Sequence, residues 1–144
     1  MTDLIERTCA LARASNTYLK QALTDAGYPQ IEPCHGDIFY VLFEHGSVGI
    51  AQLAEKTHRS KSTVSVMVSR LTKLGLVRKQ ENKTDARALC ICLTKKGREL
   101  KPVFEKISFA LNESFTRGFS KEDLKELQTA LERATRNLQS DLKQ

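Results

Sequence analysis

The chain has 144 residues, 40% of them hydrophobic and 28% charged, with a net charge of +6. That is long enough for one domain with a sizeable core and too short for two comfortable ones. No apolar run approaches the roughly 18 residues of a membrane span, and the opening MTDLIERT carries acids rather than the apolar core of a secretory signal, so a cytoplasmic protein is expected.

In chain order, the first predicted helix runs from about Asp3 to Ala26, with apolar residues at Leu4, Ile5, Leu11, Ala12, Leu19, Ala22 and Leu23. Gly27 is placed to end it, and Pro29 blocks continuation. A second helix is expected from near Pro33, carrying Ile38, Phe39, Val41, Leu42 and Phe43. It is apolar almost all round, which predicts deep burial. A short helix over about Ile50 to Lys56 follows, then the turn THRS. Ser60 can cap a helix reaching Leu74, with Gly75 as its stop. Its inward stripe is Val64, Met67, Val68, Leu71 and Leu74.

Residues 76–81 and 88–93 read as strands. In the second, Leu89, Ile91 and Leu93 alternate with Cys90 and Cys92, and the polar segment ENKTDAR lies between the strands. Thr94 can cap a helix to about Gly118, with Leu100, Val103, Phe104, Ile107, Leu111 and Phe115 on its stripe. Pro102 should kink that helix or mark a loose first segment. Ser120 opens the last helix with Asp123 three residues on, a capping-box variant. Leu124, Leu127, Leu131, Ala134, Leu138 and Leu142 give it nearly a heptad seam. The four cysteines, Cys9, Cys34, Cys90 and Cys92, form no CxxC pair and read as small buried hydrophobes.

The fold expected is mainly α with a small two- or three-stranded antiparallel wing. Residues 1–30 and 100–144 would supply dimerisation helices around a winged helix-turn-helix at 31–99, all within one compact domain. From Thr57 to Gln80 there is no Asp or Glu, but there are Arg59, Lys61, Arg70, Lys73, Arg78 and Lys79. In a winged helix-turn-helix the second helix enters the major groove of double-stranded DNA. Removing the buried stripe from helix 60–74 leaves Lys61, Ser62, Thr63, Ser65, Val66, Ser69, Arg70 and Lys73. Short hydroxyls allow close approach to the groove, Val66 can touch a thymine methyl, and the long cations can reach phosphates or a guanine. Six Ser or Thr in fifteen positions otherwise weaken this helix without structural return. At the turn between the strands, Lys83 and Arg87 are further DNA candidates, because an arginine there can enter a narrow minor groove. Asp85 has the wrong charge for DNA and is expected to orient Arg87 or to pair with a basic residue of the preceding helix.

The segment TDARALCICLTKKG resembles the wing signature of the MarR family, regulators of the multiple-antibiotic-resistance type. The shared pattern is D-x-R, an alternating strand, then L-T-x-x-G, carried here by Asp85, Arg87, Leu93, Thr94 and Gly97. The segment STVSVMVSRLTKLGLV is similar to the family's recognition helix and following strand, and the order of elements matches over nearly the whole chain. The resemblance implies a homodimeric transcription factor, usually a repressor, responsive to a ligand or an oxidant. It also places Ser62, Thr63, Ser65, Val66, Ser69 and Arg70 in the major groove and Arg87 in the minor groove.

The apolar stripes of the terminal helices exceed what the middle block can cover, and left wet they would form a large patch. Pairing with a second copy through Leu4, Leu11, Leu124, Leu127, Leu131 and Leu138 answers this. A two-fold dimer then calls for a pseudo-palindromic operator. As for a signal, Cys9 is the candidate redox sensor, since the peroxide-sensing branch of the family keeps its reactive cysteine in the first helix. The tyrosines of that branch are missing, Arg13 and Leu23 standing instead. A small aromatic or phenolic effector, as the family often binds, is the other candidate. His35, beside Cys34, is expected to cap or bond within the second helix. No metal site, cofactor or membrane contact is expected, nor an enzyme: there is no nucleophile–base pairing or glycine-rich phosphate loop. The competing function is a non-specific architectural DNA-binding protein.

Overall fold

The structure, a computed structural model, describes residues 3–81 and 89–143. The chain forms two compact units, Met1–Ser108 and Phe109–Gln144.

The first unit holds α1 (Asp3–Asp25), α2 (His35–His45), β1 (Ser47–Gly49), α3 (Ile50–Thr57), α4 (Lys61–Lys73), β2 (Val77–Glu81), β3 (Leu89–Leu93) and α5 (Lys95–Arg98). It also holds the start of α6 (Lys101–Thr116). The sheet is antiparallel in the order β1-β3-β2. Val77 pairs with Leu93 and Glu81 with Leu89, while Val48 of β1 pairs with Ile91. The wing is therefore three-stranded. At three residues β1 is too short to show a period, and it is a strand only because β3 lies beside it.

The core joins Ile38, Phe39 and Leu42 of α2 to Leu53, Val64, Val68 and Leu71 of the helix pair and to Val48, Val77 and Ile91 of the sheet. Phe39 stacks at 4.9 Å on Phe104 of α6. The stripe expected for α4 is the stripe it buries, with Leu74 half-buried at the end. Gly75, at φ +76°, makes the left-handed turn that stops the helix.

The L-T-x-x-G motif has a structural cause. Thr94 caps α5 by accepting from the Gly97 N–H at 3.1 Å and donates its hydroxyl to the Gly75 carbonyl at 2.6 Å. Gly97 packs so closely under Leu76 that a methyl group there would run into the Leu76 carbonyl oxygen. The motif thus bolts the end of β3 to the turn leaving α4.

Four expectations need correction. α2 begins at His35 rather than near Pro33, because Pro33 and Cys34 are used in the preceding turn, where the Pro33 carbonyl accepts from Gly36. α2 is also not buried all round: Ile38, Phe39 and Leu42 are enclosed, but Tyr40 is 44% exposed. The cysteines are not uniformly buried. Cys9 and Cys34 are exposed and Cys90 is half-buried; Cys92 alone of the four is enclosed, on the sheet face shared with Arg78. The helix drawn from Thr94 to Gly118 is broken, α5 ending at Arg98 and α6 starting at Lys101. Pro102 then stands in the first turn of α6, where its missing N–H costs nothing.

The second unit contains the end of α6 and α7 (Lys121–Leu142). Ser120 and Asp123 form a full capping box. The Ser120 backbone N–H holds the Asp123 carboxyl below its ordinary range. Leu124, Leu127 and Leu131 of α7 line a groove of about 410 Å3 with Phe115 of α6. Among the described residues, α7 buries no side chain.

Candidate nucleic-acid interface

The helix-turn-helix is built by local rules. α3 ends at His58, whose left-handed φ of 54° turns the chain, and the Arg59 N–H returns to the Ala54 carbonyl at 3.0 Å. Ser60 then caps α4 by accepting from the Thr63 N–H. This fixes the rotation of α4, so Val64, Met67, Val68 and Leu71 face inward. Lys61, Ser62, Thr63, Ser65, Val66, Ser69, Arg70 and Lys73 all remain at the surface. Val66, at 71% exposed, is an apolar side chain offered to solvent from the middle of a polar face. The hydroxyls at the start of α4 are linked, Ser60 to Ser62 at 3.1 Å and to Thr63 at 2.9 Å.

The acid-free stretch is acid-free along the chain but not in space. Asp37, in the first turn of α2, accepts from Arg59 at 2.7 Å. Glu32, in the loop before α2, lies 3.8 Å from the Arg70 guanidinium, whose Nη2 also contacts the Gln30 carbonyl at 3.5 Å. The same Glu32 oxygen accepts from Lys20 of α1 at 3.0 Å. Lys20 is anchored in turn on the Pro29 carbonyl at 2.6 Å. Lys20, Glu32 and Asp37 are residues that reasoning from sequence missed. The only signal was two acids flanking a helix start, and nothing in their spacing says that they reach Arg59 and Arg70.

Beneath them His35 is 2% exposed and accepts the Glu32 backbone N–H on Nδ1 at 3.0 Å. A cap or a bond within the second helix is the expectation; the partner observed, Glu32, belongs instead to the loop before it. Burial, with the nearby Arg70 charge, holds its pKa below the ordinary value, so the imidazole is kept neutral. Glu32 is shifted the other way in charge: chiefly its hydrogen bond from Lys20 holds the carboxyl below its usual range and so ionised.

The candidate wing residues Lys83, Asp85 and Arg87 lie outside the described residues. Cys9, Leu4 and Leu11 are all exposed on α1, Cys9 on the side turned away from the two leucines. Leu131 and Leu138 are exposed, and Leu124 and Leu127 are half-buried. A crevice of about 410 Å3 opens between the end of α2 and the outer face of the sheet. Its lining sets the cations Arg78, Arg98 and Lys101 around Leu42, Phe43 and Leu93, with Gln80 and Cys92 beside them. Among the described residues, no group of His, Cys, Asp or Glu is placed to hold a metal ion, and no helix is long and apolar enough to cross a membrane.

Residues 35–89 match the model of the MarR family. The winged block is a MarR-family domain. The fold of the chain is that of solved MarR-type regulators. It superposes on the transcriptional regulator SlyA with a TM-score of 0.83 at 20% identity, covering 97% of this chain and 96% of that one. A MarR family transcriptional regulator from Listeria monocytogenes, complexed with 26mer DNA, matches with a TM-score of 0.80 at 20% identity over 98% and 92% of the two chains. BpsR of Bordetella bronchiseptica, whose DNA binding is regulated by 6-hydroxynicotinic acid, matches at 0.78 and 15% identity over 93% and 99%. No curated protein matches the sequence.

Proposed function

We propose that this chain is a homodimeric, sequence-specific DNA-binding transcriptional regulator of the cytoplasm, a repressor of the MarR type rather than an enzyme. The exposed face of α4 carries the reading. Hydroxyls, one apolar methyl pair and three long cations project from a helix whose opposite side is locked into the core, and a MarR relative holds DNA. On this reading α4 lies in the major groove, with Lys61, Ser62, Thr63, Ser65, Val66, Ser69, Arg70 and Lys73 toward it. The 81–88 wing reaches the minor groove through Lys83 and Arg87, with Asp85 orienting the wing.

Exposed leucines on α1 and α7 support pairing with a second copy, and two-fold pairing makes the operator a pseudo-palindrome. The crevice fits a small aromatic or phenolic anion as effector: an apolar floor for the ring, and Arg78, Arg98 and Lys101 for the charge. Selection of bound sequences from random duplex DNA tests the whole. The expected result is an enriched inverted repeat, with half-sites about one helical turn apart. Binding without enrichment would make the protein an architectural one. Titration with 6-hydroxynicotinic acid and simple hydroxybenzoates tests the crevice, and binding that survives Arg98→Ala unchanged would empty it of its role.

A further inference from the structure

Among the described residues, Arg70 is the one cation of the α4 face that carries an ion pair to the loop before α2, and the details of that pair are unequal. Glu32 Oε1 is shared: Lys20 takes it at 3.0 Å, while Arg70 stands off at 3.8 Å. Arg70 also touches the Gln30 carbonyl at the long distance of 3.5 Å, and its side chain remains 54% exposed. Glu32 itself is tethered at two points. Its backbone N–H is tied to the buried His35, and its carboxylate to Lys20, which is held on Pro29. A fixed anion beside a loosely held guanidinium competes with any phosphate brought to the same guanidinium.

We infer that Glu32 is a positioning residue that restrains Arg70, lowering affinity for arbitrary duplex so that binding depends on the base contacts of α4. The inference rests on the DNA-binding reading above. A phosphate that captures Arg70 must first separate it from Glu32, and that cost is the same on every sequence. It lowers every affinity by one factor, so at a given protein concentration only duplex that adds base contacts stays occupied. Lys20 sets the strength of the restraint. With Lys20 in place the carboxylate is half-occupied; without Lys20 its full charge falls on Arg70. One side chain of α1 thereby influences the recognition helix through a single oxygen.

The test is binding of the full-length protein to a random-sequence duplex across a salt series. Glu32→Gln should tighten binding by about 2- to 5-fold per bound protomer, the scale of one exposed ion pair. It should also steepen the dependence of log affinity on log salt by up to roughly 0.9 per protomer, as one more phosphate is neutralised. In an Arg70→Ala background the same substitution should change neither quantity. Lys20→Met should weaken binding in the wild-type background and have a smaller effect in the Glu32→Gln one. Weaker or unchanged binding by Glu32→Gln overturns the inference, as does an equal gain in the Arg70→Ala background, which would mark a diffuse field effect. Glu32→Ser keeps the backbone bond to His35 and repeats the measurement should the Gln variant fold poorly. Wild-type protein that bound no duplex would sink the DNA-binding reading instead.

Discussion

Two helices of this chain carry apolar stripes at helical spacing and use them differently. α4 encloses Val64, Val68 and Leu71 completely, whereas α7, nine residues longer, buries nothing among the described residues. The spacing of apolar residues predicts which face of a helix will be covered. It does not say whether the cover comes from the same chain. α4 is covered by α3 and the sheet. The faces of α1 and α7 stay open, and on the reading proposed here a second copy closes them.

That contrast can be broken by substitution. The largest effect is expected at Leu71, fully enclosed: Leu71→Ala should cost about 2–5 kcal/mol in urea unfolding. A loss under 1 kcal/mol would mean that the block is looser than its packing implies. Leu131→Glu should leave the protomer folded but weaken pairing by on the order of 2–3 kcal/mol, from lost burial and a wet charge in the seam. Light scattering that still reports a stable dimer would put the interface on another face. At the wing, Arg87→Ala should weaken binding by roughly 1–3 kcal/mol, most on sites with A·T-rich flanks, and unchanged gel-shift affinity would remove the wing from DNA contact.

The smallest effect is a pH dependence at the foot of α2. His35 is held neutral in the folded state by burial and by the charges of Arg70, Lys20 and Arg59, while Glu32 favours its charge. Its folded pKa lies below the ordinary 6.5, so just below that pH the unfolded chain binds the extra proton. Stability from this group is complete above about pH 6.5 and declines as pH falls toward the folded pKa. His35→Gln should flatten thermal melting against pH in that window, and a slope that persists in the variant would assign it to other groups.

Much of the winged block was legible in the sequence because its signals are local. Ser60, Gly75, Thr94 and Ser120 each mark an element end that the structure uses. Pro102 announced the break between α5 and α6. What could not be read is tertiary. β1 exists only through pairing to β3, more than forty positions on. The burial of His35 depends on how the loop before α2 folds over it. The approach of Glu32 and Asp37 to Arg70 and Arg59 depends on how α1, α2 and α4 come together. The candidate reading face was therefore visible as a list of exposed side chains, but its charge balance was not.

The strand order has a further consequence for a basic protein. With β3 in the middle, the sheet has two free rims. One is the stub Ser47–Gly49, too short to template a neighbour. The other is β2, where Arg78, Lys79 and Glu81 stud the rim with charge. Both are devices that stop sheets from joining edge to edge into aggregates. The residues that give this wing its charge also keep it from sticking to its own kind.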